Sequence, residues 1–188
     1  MTEAHPALLL IDLVEDYLSE GVLGSKRQAL ASAVNALTAQ ARQRDIPIIW
    51  IRQEFEGDLS DAFQVMREQN IRVTIKGTPG CQLIPELERE ASDHEIIKKR
   101  YSAFFRTELD ELLTQLGCHS VVVGGVNTHA CVRMAAVDAY QRDYHVFLAT
   151  DCVASYDAQF HEETLRYLEQ SIAQCSPNDV LINEVFPA

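Results

Sequence analysis

Short, nearly unbroken apolar runs alternate along this chain with longer segments whose apolar residues recur every three or four positions. A run that is apolar at every position suits a strand covered on both faces. Parallel neighbours must be joined by a crossover, usually a helix. A helix with one apolar stripe must in turn lay that stripe on the sheet. Residues 7–13, 46–51, 95–98, 120–124, 144–149 and 180–182 read as strands, and residues 26–44, 107–116, 128–142 and 161–175 as helices. Leu30, Val34, Leu37 and Ala41 carry the period of the first helix, and Gly117 closes the second. Residues 52–85 read as an irregular polar stretch containing the turn Gly77-Thr-Pro-Gly80. The pattern predicts an α/β, single-domain, three-layer Rossmann-like fold over residues 1–188, with about six mainly parallel strands and helices on both faces. A chain of 188 residues, 47% hydrophobic and 23% charged, can bury such a core without staples.

Ligands of such sheets bind beyond the carboxyl ends of the strands, near a switch in strand order. The first strand ends at Asp12 and the third at Lys98 and Lys99. The valine-rich strand runs into Gly124-Gly-Val-Asn-Thr-His-Ala-Cys131, a strand-to-helix turn carrying a thiol. A carboxylate, an ammonium and a thiol therefore share one edge. Alternation sends Lys98 and Lys99 to opposite faces, so one of them meets the thiol, and spacing leaves open which. Cys131 falls in the first turn of its helix, with Asn127 or Thr128 as the N-cap, where a thiolate is favoured and the thiol pKa is expected to fall. The N–H groups of that turn could receive an oxyanion. Each residue alone has a plainer reading: a packing thiol, a loop-capping aspartate, a solvated strand-end lysine. Their convergence favours chemistry.

The formal net charge of -12 repels phosphate backbones and anionic lipid, so the expected partner is a small molecule, not nucleic acid or a membrane. No apolar run is long enough to span a bilayer or form a signal-peptide core, and a cytoplasmic location is expected. Five cysteines at wide spacings, without a CxxC pair, suggest neither a zinc site nor a disulfide framework.

The stretch Ile96-Ile-Lys-Lys-Arg-Tyr-Ser-Ala-Phe-Phe-Arg-Thr-Glu-Leu109 resembles the lysine-bearing motif of the isochorismatase-like cysteine hydrolases, in which the lysine stands four residues before the serine. By that resemblance the lysine is Lys98. Gly124 to Val132, followed by Asp138-Ala-Tyr, resembles the family's nucleophile turn, Ile11-Asp12 its aspartate strand, and Asp151-Cys-Val-Ala-Ser155 a further motif. The resemblance implies cleavage of a C–N bond in a small amide or ureide. Cys131 would be the nucleophile, Asp12 the proton carrier and Lys98 the holder of the thiolate, with a thioester intermediate. It also implies a cis peptide bond between Val126 and Asn127, and an oxyanion hole formed by the N–H groups of Asn127 and Cys131. Members are commonly oligomeric, so a homodimer or tetramer is expected, with residues 176–188 at a sheet edge or subunit contact.

Two departures from the family stand out. Val14 replaces a common glutamine. After the second strand, where nicotinamidases carry an aspartate and histidines that bind a metal, the chain reads Arg52-Gln-Glu-Phe-Glu-Gly-Asp-Leu59. No metal or cofactor is expected, and His94 and His129 read as packing or surface residues. A substrate carboxylate could pair with Arg52, Arg106 or Arg133. Tyr17, Trp50, Arg52, Tyr101 and Phe104 are candidates for the pocket lining. The alternatives are a vinyl-ether hydrolase, which needs no cysteine nucleophile, a non-catalytic member, or a thiol sensor pairing Cys131 with Cys152.

Overall fold

A computed structural model describes residues 5–186; residues 1–4 and 187–188 of the expected domain lie outside them. Six strands form one parallel sheet: Pro6–Ile11 (β1), Ile48–Gln53 (β2), His94–Lys98 (β3), Ser120–Val126 (β4), His145–Ala154 (β5) and Gln174–Ser176 (β6). Their order is β3-β2-β1-β4-β5-β6, so the connections reverse direction between β1 and β4.

The main helices are Glu15–Leu18 (α1), Gly21–Arg42 (α2), Gln64–Gln69 (α3), Leu109–Gln115 (α4), Arg133–Tyr140 (α5) and Ala158–Ser171 (α6). Every residue of β1 is buried, and alternate side chains feed two different cores. Leu9, Ile11, Ile49, Val121 and Val123 pack against Leu109, Leu113, Ala135, Ala139 and Leu168 of α4, α5 and α6. Leu8, Leu10, Ile48, Trp50 and Val122 pack on the other face against Leu30, Val34 and Leu37 of α2. Truncating any one of these leucines to alanine would cost about 2–5 kcal/mol. The molecule is thus a three-layer α/β domain.

Several elements differ from the pattern read in the sequence. The sixth strand is Gln174–Ser176, whereas residues 180–182 are helical. Pro177 opens that turn, and Leu181 and Val185, four apart, tuck under the α2 face. The expected helix over residues 161–175 begins earlier, because the Asp157 carboxylate accepts the Phe160 N–H at 2.9 Å and caps α6. Residues 52–85 contain α3 and a small core of their own, built from Phe55, Leu59, Ala62, Met66 and Ile75. The segment expected as one helix over residues 128–142 opens with a wide turn, Thr128–Val132, before α5.

Candidate active site

Asp12 follows β1 directly, with a left-handed backbone (φ 55°) and its N–H donated to Ile51 O at 2.7 Å. Its Oδ1 accepts the Gln53 backbone N–H at 2.7 Å, and its Oδ2 lies 2.7 Å from Lys98 Nζ. Lys98 ends β3 and also donates to Cys131 Sγ at 3.4 Å and to Arg100 O at 3.1 Å. Asp12 and Lys98 are fully buried, and Cys131 is 5% exposed. Lys99 points the other way, to Asp61 at 2.8 Å and Glu54 O, so Lys98 is the lysine that meets the thiol. Carboxylate, ammonium and thiol form one contiguous buried group at the switch point of the sheet.

Burial pushes the Cys131 thiol pKa up, the Asp12 charge adds to this, and Lys98 opposes it without prevailing. This corrects the expectation of a lowered pKa, because the wide turn seats Cys131 inside the core instead of at a solvated helix start. Burial also works against the Lys98 ammonium, but Asp12 and Cys131 outweigh it and hold its pKa above the ordinary lysine value. Lys98 and Asp12 thus form an ion pair beside a thiol that burial biases toward its neutral form.

The turn before Cys131 follows from β4. The Val126–Asn127 peptide bond is cis. Gly125 has φ 122°, and a Cβ there would come within 2.0 Å of Ile11 O, so only glycine lets β4 approach β1 this closely. The segment after β5 braces the turn: Ser155 Oγ lies 2.6 Å from His129 Nδ1, Tyr156 donates its N–H to Asn127 Oδ1 at 3.3 Å, and Thr128 Oγ1 lies 2.9 Å from His161 Nδ1. Asn127 takes the N-cap position, one of the two expected, but its side chain does not cap the turn, because that oxygen serves Tyr156. Ser102 donates to Asp138 and accepts the Phe104 N–H at 3.1 Å, tying the loop after β3 to α5.

Of the expected pocket residues, Tyr17 belongs beside the site. Its hydroxyl donates to Gln53 Oε1 at 2.6 Å, and burial, then Asp12 and Cys131, push its pKa up, so it stays a neutral donor. Trp50 does not belong there: it is buried on the α2 face, with its indole N–H donated to Asp93 at 2.9 Å. Phe104 is a core residue under Arg142. Tyr101 is half exposed and packs on Phe63. Arg52 is held by Glu54 and Glu95, Arg106 stacks on Phe105, and Arg133 stacks on Tyr167; the cation in contact with Cys131 and Asp12 is Lys98. Cys152 lies on the α2 face and Cys131 on the opposite one, which separates the proposed redox pair. Gln53 and Thr74 escaped the sequence reading. Gln53 was legible in principle, since β2 runs two residues past the predicted strand end, but nothing local marked Thr74.

The segment after β2 does not fit a metal. The Glu54 carboxylate is occupied by Arg52 at 2.6 Å, Gln53 by Tyr17, and no trio of His, Cys, Asp or Glu side chains gathers among the described residues. Nor is any helix among them long and apolar enough to cross a membrane.

Comparison with known proteins agrees with this architecture. The isochorismatase domain family matches residues 6–179. A "Probable inactive nicotinamidase" of Arabidopsis thaliana is 34% identical over 166 residues, 84% of either chain. An isochorismatase family protein of Desulfovibrio vulgaris superposes with a TM-score of 0.87 at 26% identity, covering 96% of this chain and 97% of the other. N-carbamoylsarcosine amidase from Thermoplasma acidophilum superposes with a TM-score of 0.80 at 25% identity, covering 93% and 96%. This chain belongs to the isochorismatase family.

Proposed function

We propose that the protein hydrolyses a C–N bond in a small amide or ureide through a covalent thioester on Cys131. The observation that carries this reading is the Cys131 thiol 3.4 Å from Lys98 Nζ, which is itself 2.7 Å from Asp12. A thiol kept neutral by burial needs a base at the moment of attack. Asp12 is placed to take its proton while Lys98 holds the developing thiolate. Cys131 Sγ then bonds to the carbonyl carbon, and the carbonyl electron pair moves to oxygen, facing the Asn127 and Cys131 N–H groups. As the C–N bond breaks, the proton on Asp12 passes to the departing nitrogen, leaving ammonia or an amine and a thioester. Asp12 next takes a proton from water, the hydroxide adds to the thioester, and the proton returns to sulfur as the acid leaves. The similarity to an N-carbamoylsarcosine amidase supports C–N chemistry.

The test is ammonia or amine release from a panel of small amides and ureides, with Cys131→Ser as control. Turnover by the parent chain and at least about a thousandfold loss in the variant are expected, the scale of losing an activated nucleophile. Hydrolysis of a vinyl ether that survives Cys131→Ser would replace this reading with the other chemistry of the family.

A further inference from the structure

Among the described residues, five buried side-chain polar atoms have no hydrogen-bond partner. Two lie away from the site: Arg42 Nε, 3.3 Å from Glu90, and Ser120 Oγ, at the first residue of β4. The other three, Asp12 Oδ2, Gln53 Nε2 and Thr74 Oγ1, gather beside the Cys131 group. Asp12 Oδ2 has Lys98 as its charge partner, Gln53 Nε2 has nothing, and Thr74 Oγ1 has the Tyr17 phenol as a neighbour without a hydrogen bond of normal length. Gln53 is 2% exposed and Thr74 fully buried, where polar groups are ordinarily paired.

Both side chains are held in place by other contacts. The Gln53 N–H is donated to Asp12 and its Oε1 accepts from Tyr17 at 2.6 Å, which leaves the amide N–H₂ as the free end. Thr74 adopts φ 54°, donates its N–H to Asp16 Oδ2 at 2.6 Å, and accepts the Phe55 N–H at 2.9 Å through its carbonyl. Its hydroxyl lies beside the Tyr17 phenol. Gly80 closes over Asp16 so tightly that a Cβ would fall 2.2 Å from the carboxylate. The backbone around Thr74 is thus fixed while its hydroxyl is left open.

We propose that Gln53 and Thr74 bind a second, uncharged hydrogen-bonding group of the substrate, so that the site selects neutral amides or ureides over carboxylate-bearing ones. This rests on the C–N hydrolase reading for the reaction but concerns recognition. An amide N–H₂ and a hydroxyl are neutral donors suited to a carbonyl oxygen. A carboxylate in the same place would face Asp12. Lys98 is already paired there, and Arg52 is held by Glu54 and Glu95.

The test uses two alkylating probes of similar size, neutral iodoacetamide and anionic iodoacetate. Their rates at Cys131 are mapped by peptide mass and divided by their rates with glutathione. High salt screens the overall charge of -12. The expected normalised ratio of iodoacetamide to iodoacetate is tenfold or more, falling at least threefold in both Thr74→Val and Gln53→Leu. These variants keep side-chain volume, and a thermal melt checks folding; if one fails to fold, the other decides. A ratio of one or below, or a ratio unchanged in the folded variants, overturns the proposal. Ammonia release from matched neutral and carboxylate-bearing amides separates the two claims. Release chiefly from the carboxylate members sinks the recognition proposal and leaves C–N hydrolysis standing. A retained alkylation preference with no ammonia from any amide supports the recognition proposal and removes the hydrolase reading.

Discussion

Lys98 has its ammonium between a carboxylate and a thiol with no solvent exposure, a placement that only its partners make tolerable. Lys98→Met keeps the length of the side chain and removes the charge, leaving Asp12 buried without a counter-ion. Chemical denaturation should show a loss of about 3–5 kcal/mol, and turnover should fall at least about a hundredfold. Lys99→Met breaks a part-exposed pair with Asp61 and should cost about 1 kcal/mol or less. Equal losses in the two variants would mean that burial of the pair does not set its importance. At this scale the placement of Asp12, Lys98 and Cys131 was legible because strand ends are the residues a parallel sheet exposes to ligands. The protonation state of Cys131 was not, since it depends on how deeply the turn sinks into the core. Trp50 was misread as a pocket residue because an aromatic near a strand end carries no local sign of the face it serves, whereas Phe104 shares the face of Cys131 but packs against Tyr144 and Arg142.

The strand-to-helix turn of residues 124–132 works as a unit, pinned by β1 on one side and by the segment after β5 on the other. Gly125→Ala would force a Cβ into the Ile11 carbonyl at 2.0 Å and hold alanine at φ 122°. Backbone strain and overpacking together should cost about 3 kcal/mol or more, read as a lowered denaturation midpoint. A Gly125→Ala protein as stable as its parent would refute the close approach. The two imidazoles bracing this turn give it a pH dependence. Burial, the largest cause for each, lowers the pKa of His129 and His161 below 6.5. Well above pH 6.5 both are neutral folded or unfolded, and their contribution to stability is fully present. As pH falls below 6.5, the unfolded chain takes up protons first, so stability is lost until the folded pKa is passed. Calorimetry between pH 7 and 5.5 should show a smaller fall in Tm for His161→Asn than for the parent. The bracing was half visible in the sequence, as a motif ending at Ser155, but its partners His129 and Asn127 emerge only when β4 and β5 lie side by side.

For the whole molecule, alternating apolar runs and helical periods were enough to specify a parallel sheet between two helical layers, because no other arrangement buries so many two-sided strands. They did not specify the sixth strand. A three-residue apolar run such as 180–182 fits a strand or a turn of helix equally, and Pro177 with the α2 face decided for helix. The satellite core of residues 55–75 was also hidden, since its members are spread through a polar segment. What the fold accomplishes is to reverse its strand order between β1 and β4, so that the residues following these two strands, with the end of β3, meet at one buried point. The central claim is that a bond forms at that point to Cys131. The most direct measurement is intact mass after acid quenching during incubation with small amides and ureides, followed by peptide mapping. The account predicts an acyl or carbamoyl adduct on Cys131 alone, with release of ammonia or amine, and neither in Cys131→Ser. Undiminished turnover by Cys131→Ser, or an adduct on another residue during turnover, would contradict it.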